Sequence, residues 1–153
     1  MWNKRNVLFV LAVALFFSWG CQQKSKDINL MIQKEINEGW AFSQAGENDW
    51  MPATVPGTVH TDLMANGVID DPYYRLNELD VQWIDKTDWE YKTTFIVTDS
   101  ILSRDRVQLD FKGLDTYADA YLNGEQILAA NNMFREWQVD VKDLLNEGEN
   151  ELR

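Results

Sequence analysis

The chain has 153 residues, with 14 basic and 25 acidic side chains and a formal net charge of −11. That balance argues against a surface built for nucleic acid or an anionic membrane, whose affinity rests on clustered Lys and Arg, and it leaves neutral partners such as sugars. A single cysteine rules out an intrachain disulfide.

The first residues read as a targeting signal. Lys4 and Arg5 precede an unbroken apolar run over residues 7–17. The run is shorter than the roughly 20 residues a bilayer span needs and has the length of a secretory leader core. Gly20-Cys21 follows it at once. A small residue before a lone cysteine at that place predicts a lipoprotein-type leader over residues 1–20, with Cys21 acylated. An ordinary leader with an incidental cysteine is the alternative. Residues 21–27 then form a polar tether. Acyl burial contributes about 0.8 kcal/mol per CH2, so the expected location is the cell envelope, with membrane contact through the lipid alone. Removing a leader that holds two basic residues and no acidic ones makes the remainder still more acidic.

One domain is expected over residues 28–153. Residues 28–36 are ambiguous: Ile28, Leu30 and Ile32 alternate, but Lys34 interrupts the pattern. Pro56-Gly57 ends the next segment. Residues 59–66 predict a short helix capped by Thr58, with Gly67 where a left-handed stop residue belongs. Asp71-Pro72-Tyr73-Tyr74 marks a turn that runs into Asn77, Glu78 and Trp83. Trp89, Tyr91, Thr93, Phe95 and Val97 then occupy every second position, which predicts a half-buried strand. Val107, Leu109 and Phe111 repeat the pattern, and Trp137, Val139 and Val141 do so again. Ala118, Ala120 and Leu122 lead into Asn123-Gly124, followed by Ile127-Leu128. Asn-Gly between apolar runs predicts a hairpin, because a type I′ turn needs positive φ at both central residues. Residues 140–145 read as a short turn or helical loop, and Gly148 ends it. Many short strands separated by turn signals predict an all-β sandwich.

Little in the chain carries chemistry by itself. Asp70-Asp71, or Asp62 with Glu78, could be imagined as an acid/base pair, but acidic turn residues are usually solvated or capping groups. His60 is the only histidine. One His beside Asp62 falls short of the three or four ligands of a transition-metal site, so its expected job is hydrogen bonding at the helix start. No Gly-x-Ser-x-Gly nucleophile motif, no glycine-rich phosphate loop and no calcium-ligand spacing is present. No catalytic residue, metal ligand or cofactor site is assigned. Sugar binding has more support. Sugars stack on exposed aromatic rings and give their hydroxyls to amides and carboxylates, and loops carry function more often than strands do. Tyr73, Tyr74, Asn77 and Glu78 are the candidate substrate-binding residues.

Taken together, Val55-Pro56-Gly57, His60, Leu63, Gly67, Ile69, Asp71, Tyr73-Tyr74, Asn77, Trp83 and Trp89 resemble the amino-terminal domain of the β-mannosidases of glycoside hydrolase family 2. Phe111-Lys112-Gly113-Leu114-Asp115-Thr116, Leu122-Asn123-Gly124, Asn132-Met133-Phe134, Asp140-Val141, Leu144-Leu145 and Gly148-Glu149-Asn150 extend the resemblance from about Trp40 onward. It implies a jelly roll of the galactose-binding-like kind, in a protein that removes terminal β-linked mannose from glycans with two glutamates of a separate barrel domain. Retaining enzymes of this type hold two carboxyls about 5–5.5 Å apart, and such a barrel takes roughly 250 residues. Neither glutamate is therefore expected in this chain, whose partners would be the catalytic barrel and, through the complete enzyme, an oligosaccharide. The resemblance also implies that residues 148–153 begin a final strand that is incomplete here. A stand-alone carbohydrate-binding lipoprotein, a gene remnant and a different family 2 activity are the alternatives.

Overall fold

The computed structural model describes residues 31–153. The predicted leader, the acylated Cys21 and the tether lie outside the described residues. The chain divides into two units, Met1–Lys34 and Glu35–Arg153. Of the first, residues 31–34 carry no regular secondary structure. No helix among the described residues is long and apolar enough to cross a membrane.

The second unit is built from β strands with two short α helices. The strands are β1 (Ala41–Gln44), β2 (Met51–Pro52), β3 (Trp89–Val97), β4 (Gln108–Phe111), β5 (Ala118–Leu122), β6 (Glu125–Ala130), β7 (Trp137–Asp140) and β8 (Gly148–Leu152). The helices are α1 (Val59–Ala65) and α2 (Asp99–Leu102), and single 3-10 turns fall at Asn77–Leu79, Ile84–Lys86 and Lys142–Leu144. A six-stranded antiparallel sheet runs β2-β1-β3-β8-β5-β6, and β4 pairs with β7 in a second sheet. This is the expected β-sandwich, with the alternation of β3 placing Thr93 and Val97 in the interior and Thr94 and Ile96 outside.

The hairpin forms where Asn-Gly predicts it. Asn123 and Gly124 have φ of 52° and 84°, the left-handed pair that a two-residue primed turn requires. A bulge between Ala120 and Tyr121 shifts the β5–β6 register before the turn.

The final strand begins at Gly148, as expected, and enters the middle of the sheet. It pairs with β3 over five positions, from Val97↔Gly148 to Thr93↔Leu152. Against β5 it reaches only the turn end, where Tyr121 and Arg153 exchange backbone bonds of 2.7 and 2.9 Å and Asn123 N–H donates to Glu151 O at 2.9 Å. Residues 118–120 are paired on their β6 side.

The densest packing lies at the β1 end. Phe42, Leu63, Val81 and Ile84 form a buried cluster, with Met51, Ala53, Val59, Ile69, Trp89 and Tyr91 packed against it. Phe42 lies 5.6 Å from the Tyr91 ring and 5.8 Å from Trp89, centroid to centroid. Such pairs add about 0.5–1.5 kcal/mol beyond the area they bury. This cluster supports the helix and the loop that follows it.

Candidate functional site

The predicted helix over residues 59–66 is α1, closed at its start by the Thr58 side chain and at its end by the Gly67 backbone. Thr58 has extended backbone and accepts a bond from Thr61 N–H, while the Thr61 hydroxyl receives the Thr58 N–H. This is a capping box with threonine at the third position in place of the usual Glu or Gln. His60, expected to hydrogen-bond at the helix start, is exposed, and the bonds that close this end are made by Thr58, the predicted cap, and Thr61. Gly67 has a φ of 69°, and its N–H closes the helix on Met64 O at 2.9 Å.

Asp62 takes the helix inward. It is 2% exposed, accepts the Thr54 N–H at 2.9 Å and receives the Tyr91 hydroxyl at 2.8 Å. Both carboxylate oxygens are thus committed to structure, and Asp62 is no partner for the exposed Glu78. Burial, and after it the bond to Asp62, pushes the Tyr91 hydroxyl well above its ordinary value. Gly57, before the helix, has no room for a side chain: an added Cβ would lie 2.2 Å from the Thr54 carbonyl oxygen.

The aromatic loop leaves this scaffold at Gly67 and returns at Trp89. Asp71 organises its first turn, accepting Tyr73 N–H on its carboxylate at 2.9 Å and Tyr74 N–H on its carbonyl at 3.0 Å. The Asn77 amide donates to the same carbonyl at 2.9 Å. Arg75 stands at a φ of 54°, with its guanidinium 5.0 Å from the Tyr74 ring centre. Val81 and Ile84 anchor the far end in the core. Trp89 donates its indole N–H to Ile84 O at 3.1 Å and lies 5.8 Å from Trp83.

Between the start and the end of the loop lies an open cleft of about 220 Å3, lined by Val68, Ile69, Asp70, Asn77, Asp80, Val81 and Trp83. Enclosed ligand pockets run from about 300 Å3 upward, so this cleft holds part of a ligand and not the whole. Its chemistry suits a polyol: one aromatic ring, two carboxylates and an amide. Of the four predicted binding residues only Asn77 lines it. Tyr73, Tyr74 and Glu78 are absent from its lining and are exposed, Tyr73 at 96%. Leu76 and Leu79 of the same loop are exposed as well. Asp70 and Asp80 also line the cleft and are not among the four predicted residues. The clue to Asp80 is its place one 3-10 turn after Asn77, since i and i+3 share a face in that geometry.

The described residues contain no group of three or more His, Cys, Asp or Glu placed to hold a metal ion.

Comparison with known proteins fits this arrangement. Residues 40–153 match the family model described as the glycosyl hydrolase 2 galactose-binding domain-like domain. The chain is 42% identical over 118 residues to β-mannosidase B of Aspergillus terreus, covering 74% of this chain and 14% of that protein. It is 32% identical to the β-mannosidase of Mus musculus, over 92% of this chain and 15% of the relative. The crystal structure of the β-D-mannosidase from Dictyoglomus thermophilum superposes with a TM-score of 0.75 at 47% identity, covering 76% of this chain and 14% of the other. The chain thus spans about one seventh of the length of the proteins it matches.

Proposed function

The chain belongs to the glycosyl hydrolase 2 galactose-binding domain-like family, and from that premise we propose that it serves as the amino-terminal domain of a β-mannosidase that removes terminal β-mannose from glycans. The supporting observation is the likeness in both sequence and fold to the Dictyoglomus enzyme. In this reading the two glutamates belong to the catalytic barrel of the complete protein. The loop over residues 68–84 offers that barrel the exposed apolar side chains of Tyr73, Tyr74, Leu76 and Leu79, and the cleft of Asn77, Asp80 and Trp83 faces the sugar. A cleft this small binds sugar usefully only when the barrel supplies its other wall.

A domain exchange tests the reading. Residues 40–153 would replace the matching segment of the Dictyoglomus β-D-mannosidase, and the chimera would be assayed on an aryl β-mannoside. Retained turnover supports the assignment. A chimera that is soluble and cooperatively folded yet inactive sinks it. The isolated chain is expected to release no product from the same substrate, and to show far weaker affinity for mannosides than the chimera. Strong binding by the isolated chain would instead favour the stand-alone carbohydrate-binding reading.

The proposal extends to location. Acylation of Cys21 would hold the domain at the cell envelope, with residues 21–27 as tether. Labelling of the expressed protein by an alkynyl fatty acid, lost in Cys21→Ser, is the expected result. Equal labelling of both sequences would refute it.

A further inference from the structure

Asn-Gly occurs twice in this chain, at Asn66-Gly67 and Asn123-Gly124. The dipeptide is chemically labile. Glycine has no Cβ to shield its backbone nitrogen, and that nitrogen can attack the side-chain carboxamide of the residue before it. A bond forms between Gly124 N and Asn123 Cγ, the Cγ–Nδ2 bond breaks, and the nitrogen leaves as ammonia with the proton released by the attacking amide. The resulting succinimide takes up one water and opens at either carbonyl, to aspartate or to isoaspartate. The net change is one water in and one ammonia out.

The fold opposes this reaction at Asn123. Its Nδ2 donates to Leu144 O at 2.9 Å and to Asn150 Oδ1 at 2.8 Å, and its Oδ1 accepts Glu151 N–H at 3.0 Å. Both heteroatoms of the carboxamide are therefore tied to β8 and to the turn before it. Cγ cannot swing onto Gly124 N while those bonds stand. The anchor is itself fixed. Asn150 is 1% exposed, accepts Asn146 N–H at 2.8 Å, and donates to Asn146 O at 2.8 Å and Gly148 O at 3.1 Å.

The product does not fit the place of the reactant. An aspartate at position 123 has no donor to offer Leu144 O or Asn150 Oδ1, and it turns a charge toward two acceptors. Isoaspartate adds a methylene to the main chain inside a two-residue turn, where register is set by turn length. We propose that Asn123 is a fold-gated deamidation site: preserved while β8 and residues 142–146 hold its carboxamide, converted when that segment lifts away, and barred from re-forming the closed arrangement afterwards.

The full chain is incubated at mildly alkaline pH, once in native buffer and once in guanidinium chloride. Proteolysis and mass spectrometry then follow the amide-to-acid mass change at each Asn-Gly site. Three hydrogen bonds and a local opening step predict conversion at Asn123 on the order of a hundredfold slower in the folded chain. Equal rates in the two conditions overturn the proposal. Asn150→Ala should raise the native-state rate at Asn123 by about tenfold and leave Asn66 and the unfolded-state rates unchanged. No change at Asn123 in a folded Asn150→Ala protein also overturns it. Should Asn66 accelerate equally, the variant has unfolded, and the comparison of folded and unfolded unsubstituted chain decides.

Discussion

The Tyr91 hydroxyl donates to Asp62 across 29 positions of sequence, joining the first part of the long strand β3 to the first turn of α1. The same carboxylate caps Thr54 N–H, so one buried acid connects three segments. Tyr91→Phe leaves an acceptor oxygen buried with one partner fewer. The expected cost is about 1.5–3 kcal/mol, the range for a hydrogen bond to a charged group, read from the shift in guanidinium midpoint at unchanged slope.

The raised ionisation of Tyr91 gives a pH dependence of definite sign. The folded chain keeps the phenol proton to higher pH than the unfolded chain, whose tyrosine titrates near 10. Above about that pH the unfolded state binds fewer protons, so stability falls with rising pH and is complete below it. Unfolding free energy should decline above about pH 10, and Tyr91→Phe should flatten the decline. An equal slope in the two proteins would place the alkaline sensitivity elsewhere.

Gly57→Ala should destabilise by about 1–3 kcal/mol, the range for overpacking, because the new methyl meets a backbone carbonyl that cannot turn away. Thermal unfolding reads this directly. An unchanged midpoint would mean that the segment before α1 shifts freely.

Thr58→Ala should cost about 0.5–2 kcal/mol through loss of the cap. His60→Ala, on an exposed position of the same helix, should stay within about 0.5 kcal/mol of the parent. A larger loss from His60 than from Thr58 would move the main support of the helix start from the predicted cap to the histidine.

In the domain-exchange chimera, Tyr73→Ala and Glu78→Ala should leave the melting midpoint unmoved, since both side chains are exposed and exposed substitutions change stability by no more than about 0.5 kcal/mol. Asn77→Ala should lower kcat/KM for the aryl mannoside by about tenfold, as the loss of one or two hydrogen bonds predicts. Unaltered kcat/KM in Tyr74→Ala, Asn77→Ala and Glu78→Ala together would remove this loop from substrate recognition.

The strands were legible because their signals are local. β3 follows from a two-residue alternation, the β5–β6 hairpin from Asn123-Gly124, and α1 from Thr58 at one end and Gly67 at the other. What could not be read was which residues of the loop face inward. Tyr73, Tyr74, Asn77 and Glu78 are neighbours in sequence, yet in the turn organised by Asp71 only Asn77 lines the cleft and the other three are exposed outside it. No periodicity governs a stretch of linked turns, so residue type alone does not give direction there. Asp62 shows the same limit: its acidic character suggested a solvated turn residue, and only the distant Tyr91 accounts for its burial.

The position of β8 has a consequence for how the protein is made. A ribosome delivers β1, β2 and β3 first, then β5 and β6, and the two groups have no mutual pairing within the six-stranded sheet until residues 148–153 emerge between them. The nascent chain therefore carries open edges on β3 and β5 until residues 148–153 emerge, and unpaired strands are then prone to join the wrong neighbour. Joining the two halves of the sheet waits for residues 148–153, and until these clear the exit tunnel the halves depend on whatever shields their open edges.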